Sequence, residues 1–592
     1  MDVVLWPNHS PTDRVHVTLQ PDDWGYFEGE ADAEPGWRYL YAINGTEERP
    51  DPASRSQPDG VHGASAVIDR SFGWTDGDWK GVPLENYIIY ELHVGTLTEA
   101  GTFDEAISRL PYLKNLGITA IEIMPVAQFP GARNWGYDGT YPYAAQNSYG
   151  GMDGFRRLVN AAHEHGLAVI LDVVYNHLGP EGNYLPRFGP YFTEQYKTPW
   201  GWSLNYDGAW SDEVRAYFIG NALFWIEDCH VDALRLDAVH AIVDTSSNPF
   251  LRELTAAVGD RAHKVGRQIP VIAENDMNDA ACVRPGRDGG LGMHSQWSDD
   301  FHHALHTVLT GELHGYYADF GLMDQLARAI QNGYVYDGEY SLFRQRRHGT
   351  DGSVLSGMQL VTCCQNHDQI GNRMLGDRLS AMVSGEQLKV AAAVLLMTPS
   401  IPLLFMGEEY GESAPFLYFT SHSDTGLIDA VRKGRREEFA AFFEQGEAPD
   451  PQSEDTFRRS RLTWTALSSE QEELANWYKS LLALRRKVAL KEFSKKNTTA
   501  YASEGDRTLW ILRRSEIDPS QVVVSAFNFS AMPQDITLPF LLSEWSILLA
   551  SSKDNWNDRI IVPRENFRPY KVTIQLPSFG VLIASCACRS QE

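Results

Sequence analysis

The sequence runs to 592 residues, 43% of them hydrophobic and 22% charged, which is ordinary globular composition with length enough for two or three domains. Acidic residues outnumber basic ones by 78 to 51, a formal charge of −27, so phosphate backbones and anionic lipid are poor partners: no nucleic acid and no membrane is expected, and a neutral or cationic ligand is favoured. Six cysteines show neither zinc-type pairing nor a disulfide-dense pattern, which fits a reducing, cytoplasmic setting. At the N-terminus Asp2 stands where a signal peptide would carry a base, and no apolar segment follows, so export is not expected.

In chain order, short strand-like runs at 14–19 and 37–42, separated by turn clusters, predict an N-terminal β-sandwich over residues 1–85. A connector rich in Pro, Gly, Ser and Asp occupies 49–64. From Tyr87 the pattern changes to apolar runs alternating with amphipathic stretches, the signature of βα units. Strands are predicted at 87–94, 118–125, 167–175, 231–237, 269–274, 294–298, 358–366 and 401–406. Helices are predicted at 103–113, 154–165, 212–227, 250–266, 323–332, 387–397 and 470–486. Eight such strands predict an α/β fold, a closed (β/α)8 TIM barrel over residues 86–497. The stretch 390–407 is apolar enough to resemble a membrane span, but Thr398-Pro399-Ser400-Ile401-Pro402 interrupts it, which predicts a buried helix followed by a buried strand. Two connections are too long for simple loops: an excursion at 178–210 after the third strand and another from 407 to about 468. Strand patterns return from 498 and predict a C-terminal β-sandwich over 498–592.

Polar and ionisable residues stand at the C-terminal ends of four predicted barrel strands, where such a barrel meets its substrate. The segments are Leu171-Asp172-Val173-Val174-Tyr175-Asn176-His177, Ala233-Leu234-Arg235-Leu236-Asp237-Ala238-Val239-His240, Val271-Ile272-Ala273-Glu274 and Cys364-Gln365-Asn366-His367-Asp368-Gln369. The side-chain period of two aims Arg235 and Asp237 the same way, and Ile272 and Glu274 likewise. Any one acid at a strand end reads equally as a helix cap or an ion-pair partner. Four coincident segments on strands three, four, five and seven point instead to one site.

These four segments resemble the conserved regions of the α-amylase superfamily, glycoside hydrolase family 13, in the same order and on the same strands. The resemblance implies retaining cleavage of an α-glucan, with Asp237 as nucleophile, Glu274 as general acid/base and Asp368 as stabiliser of the transition state. Arg235 is expected to keep Asp237 ionised, while burial and neighbouring carboxylates hold a proton on Glu274. His177 and His367 are implied to hydrogen-bond the sugar being cleaved, with Asp172 and Asn176 holding the mouth together. Asn134-Trp135-Gly136-Tyr137-Asp138-Gly139 resembles the segment whose Tyr stacks under that sugar, which makes Tyr137 the candidate; a loop-packing ring is the other reading. Ala233 stands where the family commonly has Gly.

Further segments are similar to one family within that superfamily, the maltooligosyltrehalose trehalohydrolases. They are residues 51–63, Pro190-Tyr191-Phe192-Thr193 with Thr198-Pro199-Trp200-Gly201, Trp297-Ser298-Asp299-Asp300-Phe301-His302-His303, Glu408-Glu409-Tyr410-Gly411, Phe416–Thr420 and 432–436. This implies hydrolysis of the α-1,4 bond next to the terminal trehalose of maltooligosyl trehalose, releasing trehalose and a maltooligosaccharide, with functional coupling to a maltooligosyltrehalose synthase. His240 and residues 299–303 are candidates for the leaving-group side. No cofactor and no metal is expected. Two alternatives stay open: an α-glucan (glycogen or starch) branching enzyme, and a non-catalytic glucan-binding barrel.

Overall fold

In a computed structural model, all residues are described except 24, 199–200, 440–446, 465, 489–493, 539–541, 553–558, 562–571 and 589–592. Pro199 and Trp200 of the excursion therefore lie outside the described residues.

Eight parallel strands close into the expected barrel: Ile89–Leu92, Ala120–Ile123, Ala168–Val173, Ala233–Leu236, Val271–Ala273, Ser295–Trp297, Leu360–Cys363 and Ile401–Phe405. Each is fully buried, as parallel strands covered on both faces must be, and most read as apolar runs broken by single polar residues, the sixth, Ser295-Gln296-Trp297, being the exception. The apolar stretch near residue 400 divides as expected into a buried helix, Gly385–Met397, and the eighth strand. Ser384 caps that helix in a box with Gln387, as Ser468 does with Gln471 for the helix Ser469–Lys487. Among the described residues no helix is long and apolar enough to cross a membrane.

Strand-rich sheets flank the barrel on both sides. A five-stranded sheet on the N-terminal side includes Asp2–Trp6, a strand absent from the sequence reading, paired between Val15–Thr18 and Arg38–Ile43. On the C-terminal side a five-stranded and a three-stranded sheet enclose Trp510, Val522, Val524, Ile536, Ile574 and Leu582. The helix predicted at 103–113 is two pieces, Phe103–Ile107 and Leu110–Leu116, with Pro111 within the first turn of the second, where its missing N–H costs nothing. The 178–210 excursion carries the hairpin Phe192–Thr198 with Gly201–Leu204.

The segment from Pro58 to Trp79, which carries the sheet strand Ser65–Ala66, follows the helix Gly151–Glu164 from the mouth of the barrel to its floor. At the mouth, Asn147 Nδ2 donates to the Pro58 carbonyl at 2.9 Å and the Tyr141 hydroxyl to that of Val61 at 2.7 Å. Midway, Arg156 Nη1 donates to the Asp69 carbonyl at 3.0 Å. At the floor the two ring nitrogens of buried His163 lie 2.8 Å from Asp76 Oδ2 and 2.8 Å from Asp232 Oδ2, with Trp79 stacked on its ring. Burial opposes ionisation of Asp76, but hydrogen bonds from His230 and His163 outweigh it and hold its carboxyl below the ordinary range. The stability this gives is complete above the unfolded value of about 3.9 and is lost as pH falls through the lower folded one. Replacing His163→Ala leaves two buried carboxylates short of a partner and is expected to cost about 3 kcal/mol. A thermal scan at pH 7 checks it; an unchanged midpoint would show that the floor contact carries no stability.

Candidate active site

The register of the barrel decides which side chains meet. Asp172 on the third strand and Arg235 on the fourth are directly opposed, and Arg235 opposes Ile272 on the fifth, two residues before Glu274. Arg235 is therefore fully buried beneath the ring of strand-end acids. Its Nη1 donates to both Asp172 oxygens at 2.9 Å and to Asp237 Oδ1 at 2.9 Å. Its Nη2 lies 2.9 Å from Glu274 Oε2, and its guanidinium carbon sits 4.3 Å above the Trp297 ring. One cation thus touches three carboxyl groups from three strands, which is what makes their joint burial tolerable.

Asp237 also accepts from Asn176 Nδ2 at 2.7 Å, and the same amide donates to the Asp237 carbonyl. The next residue, Ala238, has φ 38° and ψ 55°, a left-handed conformation that costs a non-glycine residue about 1 kcal/mol. That bend aims its amide N–H at Glu274 Oε2, 2.7 Å away. Burial raises the Glu274 pKa; Arg235 opposes the rise and Asp237 adds to it. Asp368, in the first turn of the short helix His367–Gly371, is raised by burial, with His367 opposing and Glu274 adding. Asp172 is pushed up to about 7 by burial, against the pull of Arg235.

Of the other predicted site residues, Tyr137 is half-buried, its ring stacked on His367 with centroids 5.2 Å apart. Its hydroxyl donates to Asp172 Oδ2 at 2.7 Å and lies 2.8 Å from His367 Nε2. His177 bridges the Asn176 side chain and the Tyr137 carbonyl, the latter at 3.0 Å, and burial lowers its pKa. His240 stands beside the cluster, 3.7 Å from Asp276. All eight predicted residues are therefore brought to one end of the barrel or to its rim. Among the described residues no group of three or more His, Cys, Asp and Glu side chains is arranged to hold a metal ion.

The segment 299–303, a candidate for the leaving-group side, opens the helix Asp299–Thr310. Asp300 turns inward and accepts from the Val335 and Tyr336 amides at 2.7 and 2.9 Å, and His302 contacts the Cys364 carbonyl at 2.8 Å. Asp299 alone feels the mouth: burial, with Glu274, Asp276 and Asp368 nearby, pushes its pKa up to about 8. Glu408 and Glu409 are anchors, holding the turn after the eighth strand through Tyr478 and through Tyr90 and Tyr112. The sequence reading missed two acids, Glu91 and Glu122, buried within the first and second strands. The signal was available: a carboxylate inside an otherwise apolar barrel strand has to meet a partner or keep a proton.

A family model described as alpha amylase, catalytic domain, matches residues 66–203. A malto-oligosyltrehalose trehalohydrolase of Saccharolobus solfataricus is 50% identical over 473 residues, 80% of this chain and 82% of that protein. The chain belongs to the malto-oligosyltrehalose trehalohydrolase family. Another member of the family, from Mycobacterium tuberculosis, is 47% identical over 484 residues, 80% of this chain and 83% of its own. A crystal structure of a Salmonella typhimurium protein assigned as an alpha amylase superposes with TM-score 0.86 at 37% identity, covering 99% of this chain and 96% of that one.

Proposed function

We propose that this protein hydrolyses the α-1,4 bond next to the terminal trehalose of maltooligosyl trehalose with retention of configuration, releasing trehalose and a maltooligosaccharide. What carries the reading is identity of 50% and 47% over four fifths of the chain with trehalohydrolases. The chemistry at Arg235 supports it. Retaining glycosidases need a nucleophile and a protonated acid about 5 to 5.5 Å apart, and a single guanidinium in contact with both Asp237 and Glu274 is suited to hold such a pair side by side.

In this mechanism Glu274, held protonated by burial, gives its proton to the oxygen of the departing trehalose. Asp237 attacks the anomeric carbon and forms a glycosyl-enzyme. Glu274, now a carboxylate, takes a proton from the water that releases the maltooligosaccharide. Asp368 stabilises the positively charged sugar in the transition state of each step, while Tyr137, His177 and His367 form the wall against which it rests. His240 stands on the leaving-group side. We further infer flanking β-domains at 1–85 and 498–592 around a catalytic barrel at 86–497, a cytoplasmic setting, and supply of the substrate by a maltooligosyltrehalose synthase.

Incubation with maltooligosyl trehalose is expected to yield free trehalose and a new reducing end that appears first as the α-anomer. Chain transfer without free trehalose would identify a branching enzyme, and a β-anomer would exclude the double displacement.

A further inference from the structure

Glu91 lies on the first barrel strand, 1% exposed, beneath the strand-end acids. Its Oε2 accepts the backbone N–H of His367 at 3.0 Å, and its Oε1 lies 2.5 Å from His367 Nδ1. We propose that Glu91 is a positioning residue: by holding His367 as an imidazolium it fixes the direction of a hydrogen-bonded chain from His367 through Tyr137 to Asp172, and sets a positive charge beside Asp368.

The argument is one of proton count. His367 Nδ1 carries a hydrogen because it faces a carboxylate. The Tyr137 oxygen sits between His367 Nε2 at 2.8 Å and Asp172 Oδ2 at 2.7 Å, and the hydroxyl has one proton to give. Burial pushes Asp172 up to about 7, but Arg235 Nη1 donates to both of its oxygens, so each already faces a donor and the Tyr137 proton points to Oδ2. Nε2 must then donate to the Tyr137 oxygen. A neutral imidazole would either leave two lone pairs facing in a buried site or turn the tyrosine away from Asp172. With both nitrogens protonated, every contact in the chain pairs a donor with an acceptor.

The surroundings support that charge. Burial disfavours a charged His367, yet Glu91 and Asp368 outweigh it and push its pKa up to about 9. Arg235 opposes from the fourth strand, and His93, after the first, is a neighbour that burial keeps neutral. Glu122 is the direct partner of Glu91 on the second strand, with neither carboxyl oxygen hydrogen-bonded. Burial, and after it the charge of Glu91, raise the pKa of Glu122, which favours its protonated form. The imidazolium lies 3.6 Å from Asp368 Oδ1, where it favours the ionised carboxylate on which stabilisation of the sugar cation depends.

This rests on the retaining mechanism proposed above, so wild type is assayed first; any glucan bond it cleaves then serves as the reporter reaction for the variants, and absence of trehalose tells against that function alone. Glu91→Gln and His367→Gln are each expected to lower kcat about 10²-fold, with little change in KM for Glu91→Gln. The double variant is expected to lose no more than either single one, because Glu91 acts through His367. The alkaline limb of the pH profile should move acidward by about one unit or more in Glu91→Gln, since an unperturbed imidazole titrates near 6.5. Glu122→Gln, which mimics the protonated acid, is expected to leave the limb in place. Glu91→Asp retains the charge and is expected to keep the wild-type limb, and it carries the test should Glu91→Gln not fold. Multiplicative losses in the double variant, a Glu91→Gln limb coincident with wild type, or a shifted limb in Glu91→Asp would overturn the proposal.

Discussion

Replacing Glu274→Gln is expected to lower kcat for trehalose release by about 10³- to 10⁴-fold, at the upper end of what a positioned acid contributes. The substitution is close to isosteric, so the contact with Arg235 and the Ala238 amide can persist in neutral form and KM should change little. The trehalose leaving group departs as an alkoxide unless it is protonated, and Glu274, raised by burial and sharing Arg235 with Asp237, is placed to protonate it. The variant should also lose the contribution of this acid to the alkaline limb, leaving the contribution of His367. Initial rates on maltooligosyl trehalose decide it: turnover within tenfold of wild type would remove Glu274 from the acid/base role.

The second large effect is expected at Arg235. Arg235→Met keeps much of the apolar volume over Trp297 and removes the one cation in contact with Asp172, Asp237 and Glu274. Breaking a buried ion pair by deleting one partner costs about 3 to 5 kcal/mol because the orphaned charge stays buried. Here the remaining carboxyls respond by taking up protons, so the nucleophile is lost along with stability. Activity should fall below detection and the thermal midpoint should drop by several degrees, the order expected for a few kcal/mol in a large domain. Arg235→Lys keeps a charge but cannot fan its donors across three acids, so it should recover part of the stability and little of the rate. Full activity in the lysine variant would show that charge alone, without the planar fork, suffices.

The contrast between these sites and Glu91 shows how far the sequence could be read. Asp237, Glu274 and Asp368 stand just past the ends of apolar runs, so local pattern alone marks them as facing a mouth. The eight strands were legible for the same reason, since a strand buried on both faces has little polar alternation to confuse it. Glu91 is different, because its partner His367 is 276 positions away; only closure of the barrel gives the carboxylate a meaning. The helix Asp299–Thr310 escaped because its buried face is built from histidines as well as apolar residues. His302, His303 and His306 are packed on Tyr317 and held neutral, their pKa values lowered by burial. A hydropathy pattern counts such residues as polar, and so a core helix passes for a loop. The first strand, Asp2–Trp6, escaped because five residues at a terminus carry too little pattern to separate strand from coil.

The connector that runs beside the helix Gly151–Glu164 touches Asn147 and Tyr141 at one end and His163 at the other. It thereby ties the substrate side of the barrel to the opposite face with a single covalent thread. Loops at the mouth of such a barrel are ordinarily free to vary independently of its floor. In this molecule the stretch between Pro58 and Asp76 is also pinned at Ser65–Ala66 to Tyr39 and Arg38 of the N-terminal sheet. A change of its length on either side of that strand must be absorbed without releasing the contacts at the mouth or the floor, which constrains how the substrate side can evolve.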